Sequence, residues 1–430
     1  MNLNNEHCWL IAVLGHLRWM FLSVFIPVWL AKFRYHKVLR RLRKSNGQKR
    51  IKVLFVTGTP AKWKCQSLYD LMSKSGRYEP CICQTICDVD NSQCTHEERI
   101  EHLDRCKAYY TGRGMSYVEA YAREHEAWID LNDFSADIVF YNQPWDVAFC
   151  QLPSHVAKSA LTFQVPYYVP NYGDISFDIQ TPFQRTLFGY CALNREWAKL
   201  YRRNVSPLLF SGCIFSVGHT ALDPYFLRQD KRVSNKWVIY APHWSIDCPG
   251  NENCENYSTF LQTGKALLKF AKNHPEIAWV FRPHPTLRKV LSRTRIWSES
   301  EINSYYADWA AIGALSEGGD YEGLFLESSV MITDCGSFLM EYACTGNPIV
   351  HLISSTCKVN PVKPSAELYA TYYQVHDINE LGKILEKVVI QHQDPKRDER
   401  LEKVREAGLL GNYAAQNIVD ELDWIIGFKK

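Results

Sequence analysis

The stretch ESSVMITDCGSFLMEYACTGNPIVHLI, from Glu327 to Ile353, decides the fold. Val330-Met331-Ile332-Thr333 is a short β-rich apolar run, and Asp334-Cys335-Gly336-Ser337 is a small-residue turn. An apolar helix-like segment then stops at Gly346-Asn347-Pro348, and Ile349 to Ile353 is a second apolar run. Strand, turn, helix, Gly-Pro stop and strand is the order of a βαβ unit, so the spacing predicts parallel strands with a right-handed crossover. The turn then lies at the carboxyl end of the sheet, where open α/β folds bind ligands. Gly336 lets backbone approach an anion, Ser337 offers a hydroxyl, and the opening amides of the helix suit a phosphate. Glu341, one helical turn beyond Ser337, is a candidate acceptor for ribose hydroxyls. Asp334 and Ser337 also fit ordinary helix capping.

Working outward, Trp237 to Ala241 reads as a strand running into Pro242-His243-Trp244. A helix is expected over Phe260–Asn273, followed by a strand at Ile277–Phe281 that ends in Arg282-Pro283-His284-Pro285. Two prolines hold His284 in a restricted conformation beside Arg282 at a strand end. An arginine that binds bidentately and a histidine that donates a proton suit a leaving pyrophosphate. Lys358 to Thr371 reads as a loop, and helical patterns run from Ile378 to Gln391 and from Arg397 to Ile426.

Towards the N-terminus, Ile51 to Val56 is a β-rich run followed by Thr57-Gly58-Thr59-Pro60-Ala61-Lys62-Trp63 and a helical pattern to Ser73. This is a Rossmann-like opening without a Walker A loop or G-x-G-x-x-G. Ala136 to Tyr141 reads as a strand ending in the aromatic, polar loop Asn142-Gln143-Pro144-Trp145-Asp146. A further aromatic run, Thr162 to Val169, leads to Pro170-Asn171-Tyr172-Gly173-Asp174. Asp174 and Asp178 are candidate general bases as well as ordinary turn carboxylates. Arg185 to Arg203 looks helical, and a domain boundary is placed near residue 225.

Across 430 residues, 49 Lys and Arg nearly balance 46 Asp and Glu, but the distribution is uneven. Ten bases and no acid lie between Lys32 and Lys52, a pattern that marks contact with a polyanion. The aromatic and apolar run Cys8 to Phe33 beside it favours an anionic membrane surface over nucleic acid. Its longest uncharged stretch, Trp19 to Ala31, is about a dozen residues, short of the roughly 20 a simple span needs. An in-plane or re-entrant anchor at the cytoplasmic face is therefore expected, with a span that tolerates Arg18 and an ordinary amphipathic core helix as the alternatives. The 15 cysteines form no disulfide framework, and C-x-C-x3-C at Cys81, Cys83 and Cys87 matches no standard zinc pattern. Reduced, cytoplasmic thiols are expected, with no metal, since no Asp-x-Asp pair is present to hold one for a nucleotide-sugar.

The segments YAPHWS at Tyr240–Ser245, FRPHP at Phe281–Pro285, and ITDCGSFLMEY with TGNPIV over Ile332–Val350 resemble those of the CDP-glycerol glycerophosphotransferase family of teichoic-acid and capsule polymerases. Similar His-Pro and Ser motifs occur in bacterial sialyltransferases, which use a CMP-linked donor. The two Rossmann-like patterns and the resemblance together imply an α/β GT-B-like fold, two Rossmann-like domains facing a central cleft, to which the apolar and basic residues above add an N-terminal membrane-associating helix. The expected organisation is an apolar segment and basic linker over 1–50, an acceptor domain over 51–225 and a nucleotide-donor domain over 226–430. By resemblance, Arg282 and His284 contact the donor phosphates and Gly336 and Ser337 cradle them; His243 and Asp334 are expected in the same donor-binding set, and the helical position of Glu341 suggests the ribose. The family's acceptor-side histidine is absent at Tyr167–Asp174, where Asp174 is the candidate base. The implied partners are a CDP-linked donor as substrate, without a cofactor, and a polysaccharide or lipid-linked acceptor at the membrane surface. A nucleotide-sugar glycosyltransferase and a non-catalytic membrane-bound scaffold are the alternatives.

Overall fold

The computed structural model describes residues 21–45, 49–85, 95–145, 147–171, 179–227, 236–246, 256–316, 321–357 and 365–428. The chain divides into two compact units. The first comprises residues 1–167, 174–223 and 412–430, and the second residues 168–173 and 224–411.

In the first unit, helix α1 (Ile26–Ser45) precedes strand β1 (Ile51–Thr57), helix α2 (Gln66–Lys74) and strand β2 (Tyr78–Gln84). Next come β3 (Tyr117–Glu119) and a small antiparallel pair, β4 (Tyr121–Ala122) and β5 (Ala127–Trp128). The sheet is completed by β6 (Ile138–Tyr141), β7 (Leu161–Gln164), β8 (Gly189–Ala192) and β9 (Cys213–Ser216). Its strand order is β3-β2-β1-β6-β7-β8-β9, and every pair in it is parallel. The central strands are buried on both faces, which explains why they read as continuous apolar runs without alternation.

Helix α1 corrects the expected linker. Lys32 to Ser45 is helix, continuous with the apolar residues before it. Val28, Ala31, Tyr35, Val38 and Leu42 recur at helical spacing and are buried, four of them within the first unit's core. In the sequence, the density of bases hides this stripe. Polar contacts fix its register: the Tyr35 hydroxyl shares a 2.5 Å hydrogen bond with Thr162 Oγ1 and donates to Thr186 O at 2.7 Å. Arg41 also pairs with Asp137 at 2.8 Å. Tyr35→Phe is therefore expected to cost about 1–2 kcal/mol, because buried groups on the sheet side lose their partner. A fall in apparent Tm checks this, and an unchanged Tm would show that the hydroxyl contributes nothing to docking. Among the described residues no helix is long and apolar enough to cross a membrane; residues 1–20, which carry much of the expected anchor, lie outside them.

The segment Arg185 to Arg203 also departs from expectation. It contains β8 before a helix at Arg195–Asn204, where the sequence pattern looks helical throughout. Gly189 lies so close to Phe163 that a Cβ there would approach its ring to 2.4 Å, a packing constraint that local periodicity does not carry.

The second unit's strands are β10 (Trp237–Ala241), β11 (Trp279–Phe281), β12 (Ala314–Leu315), β13 (Ser328–Thr333), β14 (Ile349–Leu352) and β15 (Tyr373–Val375). They form a parallel sheet in the order β12-β11-β10-β13-β14-β15. The decisive βαβ unit is β13, helix α3 (Gly336–Ala343) and β14. The expected helix at Phe260–Asn273 is present with those bounds. Within the expected loop Lys358–Thr371, residues 365–369 are helical.

The C-terminal pattern is two helices, Arg397–Glu406 and α4 (Ala414–Ile426), and α4 belongs to the first unit. No local side chain caps α4. Asp223 accepts its Ala414 and Ala415 amides at 2.7 and 3.1 Å and the Ser67 hydroxyl of α2 at 2.6 Å. Buried Asp423 of α4 accepts the Tyr78 hydroxyl at 2.7 Å and pairs with Arg77 at 2.6 Å.

Candidate functional site

In the second sheet the strand order reverses between β10 and β13. Such a switch point opens a crevice at the carboxyl ends of the strands, because the flanking crossovers run to opposite sides. The motif segments leave three adjacent strand ends: Pro242-His243-Trp244 follows β10, Arg282-Pro283-His284 follows β11, and Asp334 to Ser337 follows β13.

Short hydrogen bonds hold these turns together. The Arg282 amide donates to Tyr240 O at 2.8 Å and the His284 amide to Pro242 O at 3.0 Å, extending the pairing past the strands. Thr333 Oγ1 donates to Ala241 O at 2.6 Å and accepts the Cys335 amide at 2.9 Å. Asp334 sits at the switch point with its carboxylate turned to protein donors. Oδ1 accepts the His243 amide at 2.6 Å, and Oδ2 accepts the Thr259 amide at 2.6 Å and the Thr259 hydroxyl at 3.0 Å. Burial pushes its carboxyl up to about 6 against the pull of these donors. Its place is therefore beneath the site, joining the turns after β10 and β13 to the start of the 260–273 helix.

His243 is ringed by Trp244, Tyr257 and His284, with centroids at 5.5, 5.3 and 5.3 Å. Burial, with His284 adding to it, holds its pKa well below the usual imidazole range, so the ring is neutral at pH 7. Its Nδ1 accepts the Ser245 amide at 3.2 Å, which leaves Nε2 as the proton-bearing nitrogen. His284 Nδ1 likewise accepts the Thr286 amide at 3.2 Å, which places the ring's N–H on Nε2.

The other expected residues fall into two groups. Ser337 is partly exposed in the first turn of α3, with Cys335 Sγ 3.2 Å from its hydroxyl, and Gly336 is buried at the helix start. The opening amides of a helix have no intrahelical acceptors and favour an anion. Arg282 and Glu341 are buried, with only 6% and 3% exposure. The Arg282 guanidinium donates to Ser316 Oγ at 2.6 Å and lies 5.0 Å from the Tyr321 ring centre. Glu341 accepts the Tyr321 hydroxyl at 2.9 Å and the Tyr225 hydroxyl at 3.3 Å. Asp174 and Asp178 lie outside the described residues. Asn171, a few positions earlier and grouped with the second unit, donates to Gly336 O at 2.7 Å and to the Tyr369 hydroxyl at 2.9 Å.

His243, His284 and Ser337 are thus the partly exposed polar groups on adjacent strand ends, with Arg282, Asp334 and Glu341 packed as a buried layer. Two imidazole N–H groups, a hydroxyl and a helix N-terminus together suit an oxyanion such as a phosphate. The supporting residues Thr259, Tyr225, Tyr321, Ser316 and Asn171 were missed from the sequence. Each lies in a different local segment, and no spacing rule links them to the motifs.

No family model matches this chain, and no curated protein matches it. Solved structures share its fold. A UDP-N-acetylglucosamine 2-epimerase matches with a TM-score of 0.52 at 15% identity, covering 89% of this chain and 98% of its own. The Staphylococcus aureus MnaA–UDP structure matches with a TM-score of 0.52 at 13% identity, covering 88% and 98%. The wall teichoic acid polymerase TagF with CDPG matches with a TM-score of 0.51 at 15% identity, covering 94% and 98%. At such identities the likeness establishes an α/β fold of parallel sheets of the GT-B type.

Proposed function

We propose that this chain is a transferase that holds a nucleotide-activated donor at the second unit's switch point. The donor is CDP-glycerol or a related CDP-linked polyol, and the acceptor is a hydroxyl of a polysaccharide or lipid-linked chain. The observation that carries the reading is the meeting of His243, His284, Ser337 and the opening amides of α3 on adjacent strand ends. The choice of cytidine rests on the motif resemblance and is consistent with CDPG in the TagF structure of the same fold.

In this reaction the acceptor oxygen attacks the β-phosphorus, the bond from that phosphorus to the bridging oxygen breaks, and CMP leaves with the bonding pair. The acceptor proton passes to a base, for which Asp174 is the candidate named from the sequence. His284 Nε2–H, the Ser337 hydroxyl and the helix amides stabilise the charge growing on the departing phosphate. A panel of CMP, CDP, UMP, UDP, GDP and ADP tests the donor by thermal stabilisation, since a ligand that binds the folded state raises its stability. CMP and CDP are expected to raise Tm selectively. Selective stabilisation by UDP, the nucleotide in the MnaA structure, would favour a nucleotide-sugar enzyme and overturn the cytidine assignment.

The same reading places the protein on the cytoplasmic face of a membrane as a peripheral or monotopic protein. Opposite its buried stripe, α1 presents Trp29 and Phe33 at 60% and 52% exposure, with their rings stacked at 6.3 Å. Lys32, Lys37, Arg40 and Lys44 are exposed on the same helix, and Lys37 Nζ lies 4.5 Å from the Phe33 ring centre. Aromatic residues beside bases fit the interface of an anionic bilayer. Lys32→Gln with Lys37→Gln is expected to weaken binding to phosphatidylglycerol-containing vesicles by about tenfold or more, at about 1 kcal/mol per base. Cosedimentation equal to wild type would remove this face from the membrane contact.

A further inference from the structure

Beside the start of α1 the first unit carries a second apolar projection. The helical turn Phe21–Phe25, which runs into α1, lies within 8 Å, Cα to Cα, of the turn Pro207–Leu209. Each turn holds a leucine out to solvent: Leu22 is 50% exposed and Leu208 74%. Val205 and Phe210, on either side of the second turn, are buried, so its flanks are anchored in the unit. Its backbone is braced as well. The Leu209 amide donates to Ser206 O at 2.8 Å, Ser206 Oγ accepts the Leu208 amide at 3.4 Å, and the Arg185 guanidinium donates to Leu209 O at 3.4 Å. A leucine projected from a braced turn is held away from the core, and its transfer out of water is favourable.

The charge around this turn has one sign. The helix Arg195–Asn204 leads into it, with Lys199, Arg202 and Arg203 exposed, and no acidic residue occurs between Glu196 and Asp223. Bases without acids beside exposed apolar side chains repeat the pattern of α1, where Trp29 and Phe33 stand beside Lys32 and Lys37. Both segments lie on one edge of the first sheet. Arg41 of α1 binds Asp137, before β6, and Ser159 O, before β7, each at 2.8 Å, and Tyr35 binds Thr186 O, before β8. The Pro207–Leu209 turn precedes β9. This is the amino-terminal edge of the parallel strands, whereas open α/β sheets take ligands at the carboxyl edge. A flat partner resting on α1 and the turn therefore leaves the ligand edge clear.

We propose that the turn at 206–209 is a second membrane-inserting element, which with α1 seats the amino-terminal edge of the first sheet on an anionic bilayer; the inference rests on the membrane contact of α1 proposed above. Leu22, Trp29, Phe33 and Leu208 enter the boundary between headgroups and acyl chains, while Lys32, Lys37, Lys199 and Arg203 meet lipid phosphates. A single helix lying in the interface can roll about its own axis. A second contact to one side of it fixes the tilt of the unit.

The test is cosedimentation of the full-length protein with vesicles of phosphatidylcholine and with mixed phosphatidylcholine–phosphatidylglycerol vesicles, the latter also doped with a lipid carrying a diazirine in its acyl chain. Wild type is expected to bind the mixed vesicles and to bind phosphatidylcholine alone more weakly. Photolysis should label the peptide carrying residues 206–209 as well as that carrying the start of α1. Leu208→Glu should weaken binding to the mixed vesicles by about tenfold with Tm unchanged, since the side chain is exposed in the fold and a charge there loses the apolar transfer. Leu208→Met should keep wild-type binding. Binding of Leu208→Glu within about twofold of wild type, or no label at 206–209 while the start of α1 is labelled, would overturn this inference alone and leave α1 as the contact. Loss of a dimer in Leu208→Glu without loss of vesicle binding would also overturn it, assigning the turn to a second copy of the chain. Failure of the wild type to bind the mixed vesicles would sink the α1 contact and this inference with it.

Discussion

Asp334→Ala is expected to cost about 2–4 kcal/mol and to abolish stabilisation by CDP. The substitution removes both oxygens that hold the switch point together and leaves the His243 and Thr259 amides without acceptors in a buried place. A buried donor stripped of its partner costs about 1–3 kcal/mol, and the loss also frees the turns that carry His243 and Ser337. Asp334→Asn offers no full rescue, because its amide nitrogen would face an N–H on one side.

The pH dependence separates charge from geometry. Asp334 is raised from 3.8 to about 6 in the fold. The folded state therefore binds the extra proton between these values, and the group's contribution is fully present below 3.8 and is lost as pH rises through about 6. The advantage of wild type over Asp334→Asn should shrink between pH 4 and pH 7 in denaturant titrations. A gap that grows with pH would show that the carboxylate is stabilised by its donors more than it is penalised by burial. His243 acts in the opposite sense: its depressed pKa gives stability above about 6.5 that is lost as pH falls, in wild type and variant alike.

His284→Ala is expected to lower single-turnover CMP release by about 10²–10³-fold, the range of a lost hydrogen-bond donor to the charge growing on the leaving phosphate. Because His284 Nδ1 also accepts the Thr286 amide, a loss of activity in the alanine variant has two possible origins. His284→Asn keeps an acceptor for that amide and discards the Nε2 proton. Continued inactivity in the asparagine variant assigns the effect to the Nε2–H hydrogen bond, whereas recovery would make His284 a residue that shapes the turn. Turnover near wild type in the alanine variant would remove it from the mechanism altogether.

Much of the second unit was legible because its signals are local. The run Val330–Thr333, the turn through Ser337 and the Gly-Pro stop at Gly346–Pro348 specify a βαβ unit through neighbours a few residues apart, and the structure has β13, α3 and β14 there. The apolar spacing of Phe260–Asn273 defines a helix for the same reason. Residue chemistry also marked His243, His284 and Ser337, whose segments leave adjacent strands.

Long-range contacts decided the rest. Asp334 joins segments 75 and 91 positions away, so its supporting place beneath the site cannot be read from a turn that fits phosphate binding equally well. Glu341 is enclosed by Tyr225 and Tyr321, 116 and 20 positions away, although its helical phase alone points towards a ribose. Helix α1 appears as a basic linker until Tyr35 meets Thr162 and Thr186 of the sheet. Helix α4 joins the first unit because Asp223 caps it from 191 residues away. Periodicity and turn chemistry act over one or two turns of chain and specify elements; burial and hydrogen bonds between distant segments determine which elements pack together and which polar groups stay open to a substrate.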